Sequence, residues 1–364
     1  MKFTRNLVAL FALFVLPVMM YVAACSSKTP EYSYAGPGSK WGVTLKEDGT
    51  FTITHAPDVE SDVDMTVNGT YTRLSTGFVK LVVTSATGTD APSAGEEAYG
   101  LEIPGFAFIL KPVGEDSNVI PMVASGSCPT ANMAANWIML EKNDTADASS
   151  SVQDWYGTFT HNVSTNVSTV ATKYSLVNTT DQGSNTISGT TCDAGLMHLE
   201  GDNVDMFLTS GNGAIVHTNI DDENDDSFIV AFPTETISAA SALDGTYAGI
   251  VFDKSASSGS ENRIFPMKVT FTATSDTLAA AVGTKLTDVE TGEEDSGTAT
   301  IALTSFNSPS AGFARGTITS NSQTGNVVCN VNTNVQSTGK KVLFCIAQSP
   351  GNTTKHFNFL AVSK

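Results

Sequence analysis

The feature that most constrains this chain is a dense succession of short strand-like runs, each closed by a turn residue. WGVTL at 41–45, GTFTITH at 49–55, MTVNGTYTRL at 65–74 and GFVKLVVTSA at 77–86 alternate or run apolar over five to ten residues. SFIVAFP at 227–233, GTYAGIVFD at 245–253, VLFCIAQ at 342–348 and HFNFLAV at 356–362 continue the pattern to the end of the chain. Gly, Asp, Asn and Pro punctuate these runs, as expected for strands joined by tight turns. Three Ala-containing stretches, Thr130 to Ala135, Ser238 to Ala242 and Thr277 to Val282, are too short for major helices and read as single turns in connections. Short connections without helical crossovers favour antiparallel pairing. The expected fold is therefore all-β, with antiparallel sheets forming two sandwich- or barrel-like units, or three. The pattern does not separate sandwich from barrel.

Organisation along the chain is less sharply drawn. Pro233 and the small-residue segment before Asp244 suggest a boundary, giving a larger β domain over 36–235 and a second over 243–364. A triplet of Gly, Thr and an aromatic recurs as Gly69-Thr70-Tyr71, Gly157-Thr158-Phe159 and Gly245-Thr246-Tyr247. Its glycines are 88 residues apart both times (157 − 69 and 245 − 157). Three related units would produce such a spacing, although the intervening sequence diverges. Charge narrows the partners. With 37 acidic residues against 19 basic ones the net charge is −18, which repels phosphate backbones, so no nucleic-acid partner is expected.

The first residues set the expected destination. Lys2 and Arg5 open a basic start, Leu7 to Val22 are mostly apolar, and small residues lead into Cys25. This describes an export signal over 1–24 better than a permanent span, which needs roughly 20 apolar residues. Val22-Ala23-Ala24-Cys25 resembles the lipobox of bacterial lipoproteins. That resemblance covers residues 1–25 only; no specific family is recognised for the body. It implies cleavage before Cys25, an acyl-lipid (palmitate-bearing) anchor on that residue, and a membrane partner through the lipid. Ser26 after the cysteine resembles the outer-membrane sorting pattern, so the expected location is the cell envelope at the outer membrane, with leaflet and facing side open. Residues 25–35, polar after the cysteine and followed by Gly36, Pro37 and Gly38, read as a flexible tether. Removal of the signal leaves 340 residues (364 − 24), enough for two or three cores.

Four cysteines remain: Cys128, Cys192, Cys329 and Cys345. An even count in an oxidising compartment favours two disulfides with three possible pairings. Cys329 with Cys345 is the simplest local pairing, and Cys128 with Cys192 would follow. No close thiolate pair suits a metal. The acidic run Asp221 to Asp226 lacks the ordered ligand spacing of a calcium loop and reads as a solvated hairpin tip. Asp58, Glu60, Asp62 and Asp64 would share one side if extended, as the charged face of an edge strand. His55, His161, His198, His217 and His356 form no metal motif, although His198 and His217 could meet across strands near Asp205.

Hydrolase elbows and nucleotide-binding loops are absent, so neither catalytic residues, metal nor cofactors are expected. Trp137, Trp155 and Tyr156, with Trp41 and Tyr99 farther off, are the aromatics from which a sugar-stacking face could be built; core roles for Trp137 and Trp155 compete with that use. The leading expectation is a non-enzymatic cell-envelope lipoprotein presenting a β scaffold for protein or glycan interaction. A lipocalin-like binder of small molecules is the alternative, with a secreted hydrolase third. Oligomeric state is not read from the sequence.

Overall fold

The structure is a computed structural model and describes residues 31–36, 41–56, 62–112, 119–125, 128–141, 155–176, 181, 183–188, 196–198, 204–208, 214–218, 227–254, 263–295, 299–352 and 356–364. Three antiparallel sheets follow one another along the chain, two of them closed. The strand pattern thus resolves into three sheets, of which two are barrels and the one between them in sequence is open.

Barrel 1 contains β1 (Tyr32–Gly36), β2 (Trp41–Leu45), β3 (Thr50–His55), β4 (Met65–Arg73), β5 (Phe78–Gly88), β6 (Glu97–Ile103), β7 (Ala107–Lys111) and β8 (Ile120–Ala124). Each strand pairs with the next, and β8 returns to β1 through Tyr34↔Ala124 and Ala35↔Val123. Alternate residues point inward, as the two-residue period requires. Tyr34, Val43, Leu45, Phe51, Ile53, Val67, Leu81 and Phe108 pack together inside, each at most 6% exposed. Two glycines make room for this packing. A Cβ on Gly69 would lie 2.5 Å from the Phe51 ring, and one on Gly100 2.3 Å from the Phe108 ring. Rings therefore fill the space above bare backbone, which is how eight strands can enclose a packed interior.

The second sheet is open. It contains β9 (Met133–Glu141), β10 (Trp155–Asn162), β11 (Val167–Ser175), β12 (Asn185–Ser188), β13 (Leu196–His198), β14 (Val204–Leu208), β15 (Ala214–Thr218) and β16 (Ser227–Pro233). The order β12-β11-β10-β9-β16-β15-β14-β13 brings the first and last of these strands together at its centre. One face carries Trp137, Phe159 and Ala231; the other carries Ile138, Tyr156, Tyr174 and Phe232.

Barrel 2 contains β17 (Gly245–Lys254), β18 (Arg263–Thr274), β19 (Thr277–Asp288), β20 (Glu293–Glu294), β21 (Thr300–Phe306), β22 (Phe313–Ser320), β23 (Gln323–Asn332), β24 (Val342–Gln348) and β25 (His356–Ser363). The β18–β19 pairing closes eight strands, and β20 hangs on β19 outside the ring. A 3₁₀ turn at Ala240–Leu243 packs into the interior, where the Tyr247 hydroxyl donates to the Leu243 carbonyl at 2.6 Å. Cys329 and Cys345 are direct partners across β23 and β24, both fully buried and disulfide-bonded, with Cα atoms 3.9 Å apart. Cys128 is also disulfide-bonded, while Cys25 and Cys192 lie outside the described residues.

Three expectations are corrected here. The tether expected over 25–35 does not extend past Glu31, because Tyr32–Gly36 form β1 and alternation turns Tyr34 into the barrel interior at 1% exposure. Thr130 to Ala135 runs into β9 and Thr277 to Val282 opens β19, so neither is a helical turn. Ala135 and Ala280 are buried while Ala134 and Ala279 beside them are exposed, the alternation of a strand, and that burial outweighs intrinsic helix preference. Only Ser238 to Ala242 overlaps a helical turn. Asp62 to Asp64 are irregular, so the acidic row is not an edge strand there; Asp58 and Glu60 lie outside the described residues. Among the described residues no helix is long and apolar enough to cross a membrane.

One apolar cluster joins all three sheets. Phe78, Leu101, Phe106 and Ile109 come from barrel 1, Ile138, Tyr156 and Phe232 from the open sheet, and Ile250, Phe313, Phe344 and Leu360 from barrel 2. Phe232 stacks on Phe106 at 5.5 Å and meets Phe344 edge-on at 6.3 Å, bridging both barrels. Burying one such side chain is worth about 1.5–3 kcal/mol. Polar contacts fix the register of this seam. Asn136 Nδ2 donates to the Ala311 carbonyl, and Asn330 Nδ2 donates to that of Asn136, both at 2.7 Å.

Candidate interaction site

Chain direction sorts the connections of barrel 1 by end. The chain enters at Tyr32, and this end also carries the tight turns 46–49, 74–77 and 104–106. The ends of β1, β3, β5 and β7 and the starts of β2, β4, β6 and β8 lie at the opposite end. The turns at the entry end meet the rest of the molecule. Gly77 abuts Ala248, Thr76 sits against Gly292, and Phe106 stacks on Phe232. That opposite end is the far mouth of barrel 1, and residues at the connections of a rigid frame are where binding groups concentrate.

At that mouth the β2 and β3 ends bring Trp41 beside His55, with ring centroids 4.5 Å apart and planes tilted by 51°. Asp64 closes the 56–64 connection on the same histidine. Its amide donates to the His55 carbonyl at 3.0 Å, and its Oδ1 lies 2.7 Å from His55 Nδ1. The two side chains are 21% and 39% exposed, so the pair is reached by solvent while its geometry is held. Val63, 55% exposed, is the one large hydrophobic residue among the described residues that faces solvent. An aromatic ring, an oriented imidazole, a carboxylate and an apolar methyl pair thus gather at one mouth. Such a surface can stack on a sugar C–H face and hydrogen-bond its hydroxyls.

The entry end of barrel 1 is closed by a different cluster. Glu102 points inward between Leu101 and Ile103, which face the inter-sheet core, and its side chain is 4% exposed. Arg73 grips it with two bonds, Nε to Oε2 at 2.6 Å and Nη2 to Oε1 at 2.9 Å. The Tyr34 hydroxyl donates to Oε1 at 3.0 Å and accepts from the Gly105 amide at 3.2 Å. Burial, followed by the Glu102 charge, pushes the Tyr34 hydroxyl far above its ordinary pKa. Burial opposes the Arg73 charge, but the Glu102 hydrogen bond and charge outweigh it and raise the pKa of Arg73. The cluster is a satisfied ion pair that plugs the barrel, and its donors and acceptors are spent on one another. The sequence carries one sign of it, a single acid inside the apolar run 98–110.

The other candidate residues disperse. Trp137 is 1% exposed and donates from Nε1 to the Thr158 carbonyl at 3.2 Å, so it is core. Trp155 is half-buried under Lys173, whose Nζ lies 3.9 Å from the ring centroid. Tyr156 is fully buried on the opposite sheet face, so these three rings do not share a surface. Tyr99 is half-buried beside Glu97, and burial followed by that charge raises its pKa. His161 is 2% exposed and bonded to the Ser168 hydroxyl at 2.9 Å, with burial lowering its pKa. His356 is buried at the start of β25. Backbone register makes His198, Asp205 and His217 successive partners across β13, β14 and β15. Asp221 to Asp226 lie outside the described residues. Among the described residues no group of three or more His, Cys, Asp or Glu side chains is placed to hold a metal ion.

No protein-family model and no curated protein matches this chain. Among solved structures, a mutant of the vaccine antigen transferrin binding protein B from Haemophilus parasuis Hp5 aligns at 9% identity and a TM-score of 0.28, covering 92% of this chain and 76% of that one. The isotype 1 transferrin binding protein B from serogroup B Neisseria meningitidis aligns at 11% identity and a TM-score of 0.19, covering 94% and 67%. Likenesses of this size carry no inference about function.

Proposed function

We propose that this chain is a non-enzymatic lipoprotein of the cell envelope, anchored through a lipid on Cys25, whose β scaffold holds the far mouth of barrel 1 out as a glycan-contacting surface. The observation that carries this reading is the Trp41–His55–Asp64 arrangement at the end of the barrel opposite chain entry. A tether joined at Tyr32 leaves the mouth pointing away from the anchor. The lipobox-like Val22-Ala23-Ala24-Cys25 supports the anchor, and Ser26 favours the outer membrane. The His55–Asp64 pair supports binding rather than turnover. A histidine held by a carboxylate becomes catalytic when it activates a nucleophile, and among the described residues its hydrogen-bond partner is Asp64 itself. An uncharged sugar suits a chain of net charge −18 better than an anionic polymer does.

The test is retention of the full mature chain on immobilised neutral and acidic glycans, comparing wild type with Trp41→Ala and Trp41→Phe. The expected result is retention by wild type on neutral glycans, loss in Trp41→Ala and partial recovery in Trp41→Phe, with unchanged circular dichroism. Equal retention of all three proteins, or none by wild type, would overturn the mouth as the binding surface.

A further inference from the structure

At the seam between the open sheet and barrel 2, two buried hydrogen-bond donors lack acceptors among the described residues. Tyr156, on β10, is fully buried, yet among the described residues its hydroxyl has no partner. Arg315, on β22, projects from the outer face of barrel 2 in step with Phe313 two residues earlier. Among the described residues its Nε is buried without a partner, and its one hydrogen bond is a long 3.5 Å contact from Nη2 to the Leu176 carbonyl.

The surroundings are aromatic. Tyr156 and Tyr174 are direct partners across β10 and β11, with ring centroids 5.4 Å apart, and Phe313 meets Tyr156 edge-on at 5.0 Å. Arg315 is also electrostatically odd. In a chain with 37 acidic residues it makes no ion pair among the described residues, whereas Arg73 is gripped by Glu102 and Lys80 by Glu97 and Glu290. A part-buried cation without a counter-charge is costly, and so is a buried hydroxyl without a partner. One anionic group would serve both, because a carboxylate only accepts and Arg N–H and Tyr O–H both donate.

We infer that the Tyr156–Arg315 seam is a binding site for a small carboxylate with an apolar body, its oxygens taking the Arg315 Nε–H and Tyr156 O–H and its body lying against Tyr174 and Phe313. The Arg315 charge is near enough to act on the Tyr156 hydroxyl. Burial pushes that group's pKa up to about 12, and Arg315 opposes the rise. A water molecule could accept both bonds but would leave the cation without a counter-charge. The site is separate from the barrel 1 mouth, so the two readings fail independently.

The experiment is thermal unfolding and calorimetric titration of the full mature chain with benzoate, with benzyl alcohol as the neutral control. Wild type is expected to show a saturable rise in Tm with benzoate and none with benzyl alcohol, since a ligand bound only by the folded state stabilises it. Tyr156→Phe keeps the ring and removes only the unpartnered hydroxyl, so it should fold normally and bind benzoate at least tenfold more weakly. Arg315→Gln should abolish the shift, and Trp41→Ala should leave it intact. No saturable shift in wild type, or equal shifts in wild type and Tyr156→Phe, would overturn the proposal and leave bridging water as the donors' partner.

Discussion

A carboxylate inside a barrel has to be paired or neutral, and Glu102 is paired on both oxygens. Glu102→Ala would take from Arg73 its counter-charge and from the Tyr34 hydroxyl its acceptor. Arg73 keeps water on its exposed side, so the cost comes mainly from the buried Tyr34 hydroxyl and is about 1–3 kcal/mol, to be read from urea unfolding at pH 7. His161 gives the opposite kind of sensitivity. Burial lowers its folded-state pKa, so the unfolded chain takes up the proton first as pH falls. Its contribution is neutral above the unfolded pKa of about 6.5, becomes destabilising below that value, and levels off beneath the folded one. The stability gap between wild type and His161→Gln should therefore shift against wild type from pH 7 to pH 5. A gap independent of pH would show that His161 does not titrate differently on unfolding. The sequence marks Glu102 as a lone acid in an apolar run but not its direction, because alternation tells which residues share a face, not which face closes into a barrel.

Strands were the most legible level. WGVTL coincides with β2 and VLFCIAQ with β24 as written, because alternation and turn residues agree there. Closure was not legible. It depends on Tyr34 meeting Ala124 and on Met267 meeting Lys285, pairings that no local pattern announces. The Gly-Thr-aromatic triplets show a similar limit. Each lies in a different sheet, but Gly69 and Gly157 sit inside strands beside bulges, where a Cβ would come within 2.1 Å of the Val82 carbonyl and 1.9 Å of the Thr172 carbonyl. Gly245 instead opens β17 with φ at 145°. Gly157→Ala should therefore be poorly tolerated, with a Tm loss of several degrees from a clash that only backbone movement relieves. Gly95→Ala, in open space, should lose less despite its positive φ. The β23–β24 disulfide makes a second element-scale prediction. With a sequence separation of 16, replacing both Cys329 and Cys345 by Ala should lower stability by about 3 kcal/mol in denaturant unfolding.

At the scale of the molecule, three sheets share one apolar core and are stitched by asparagines, so the body should behave as one scaffold rather than as beads on a string. Asn136→Ala removes an amide that binds barrel 2 on one side and accepts from Thr234 on the other. Hydrogen exchange should then accelerate in β9, β16 and β22 together, while β2 to β4 of barrel 1 keep their protection. The sequence could not disclose this seam, because Asn136, Asn330 and Asn358 look like surface residues until three sheets bury them. The function proposed for the scaffold depends on its being held at a membrane. The most direct test is metabolic labelling of cells with a palmitate analogue, followed by membrane fractionation of wild type and Cys25→Ser. The account predicts that wild type carries label and sediments with membranes, while Cys25→Ser carries none and is recovered in the soluble fraction. A Cys25→Ser protein still labelled and still in the membrane pellet, or an unlabelled wild type, would contradict it.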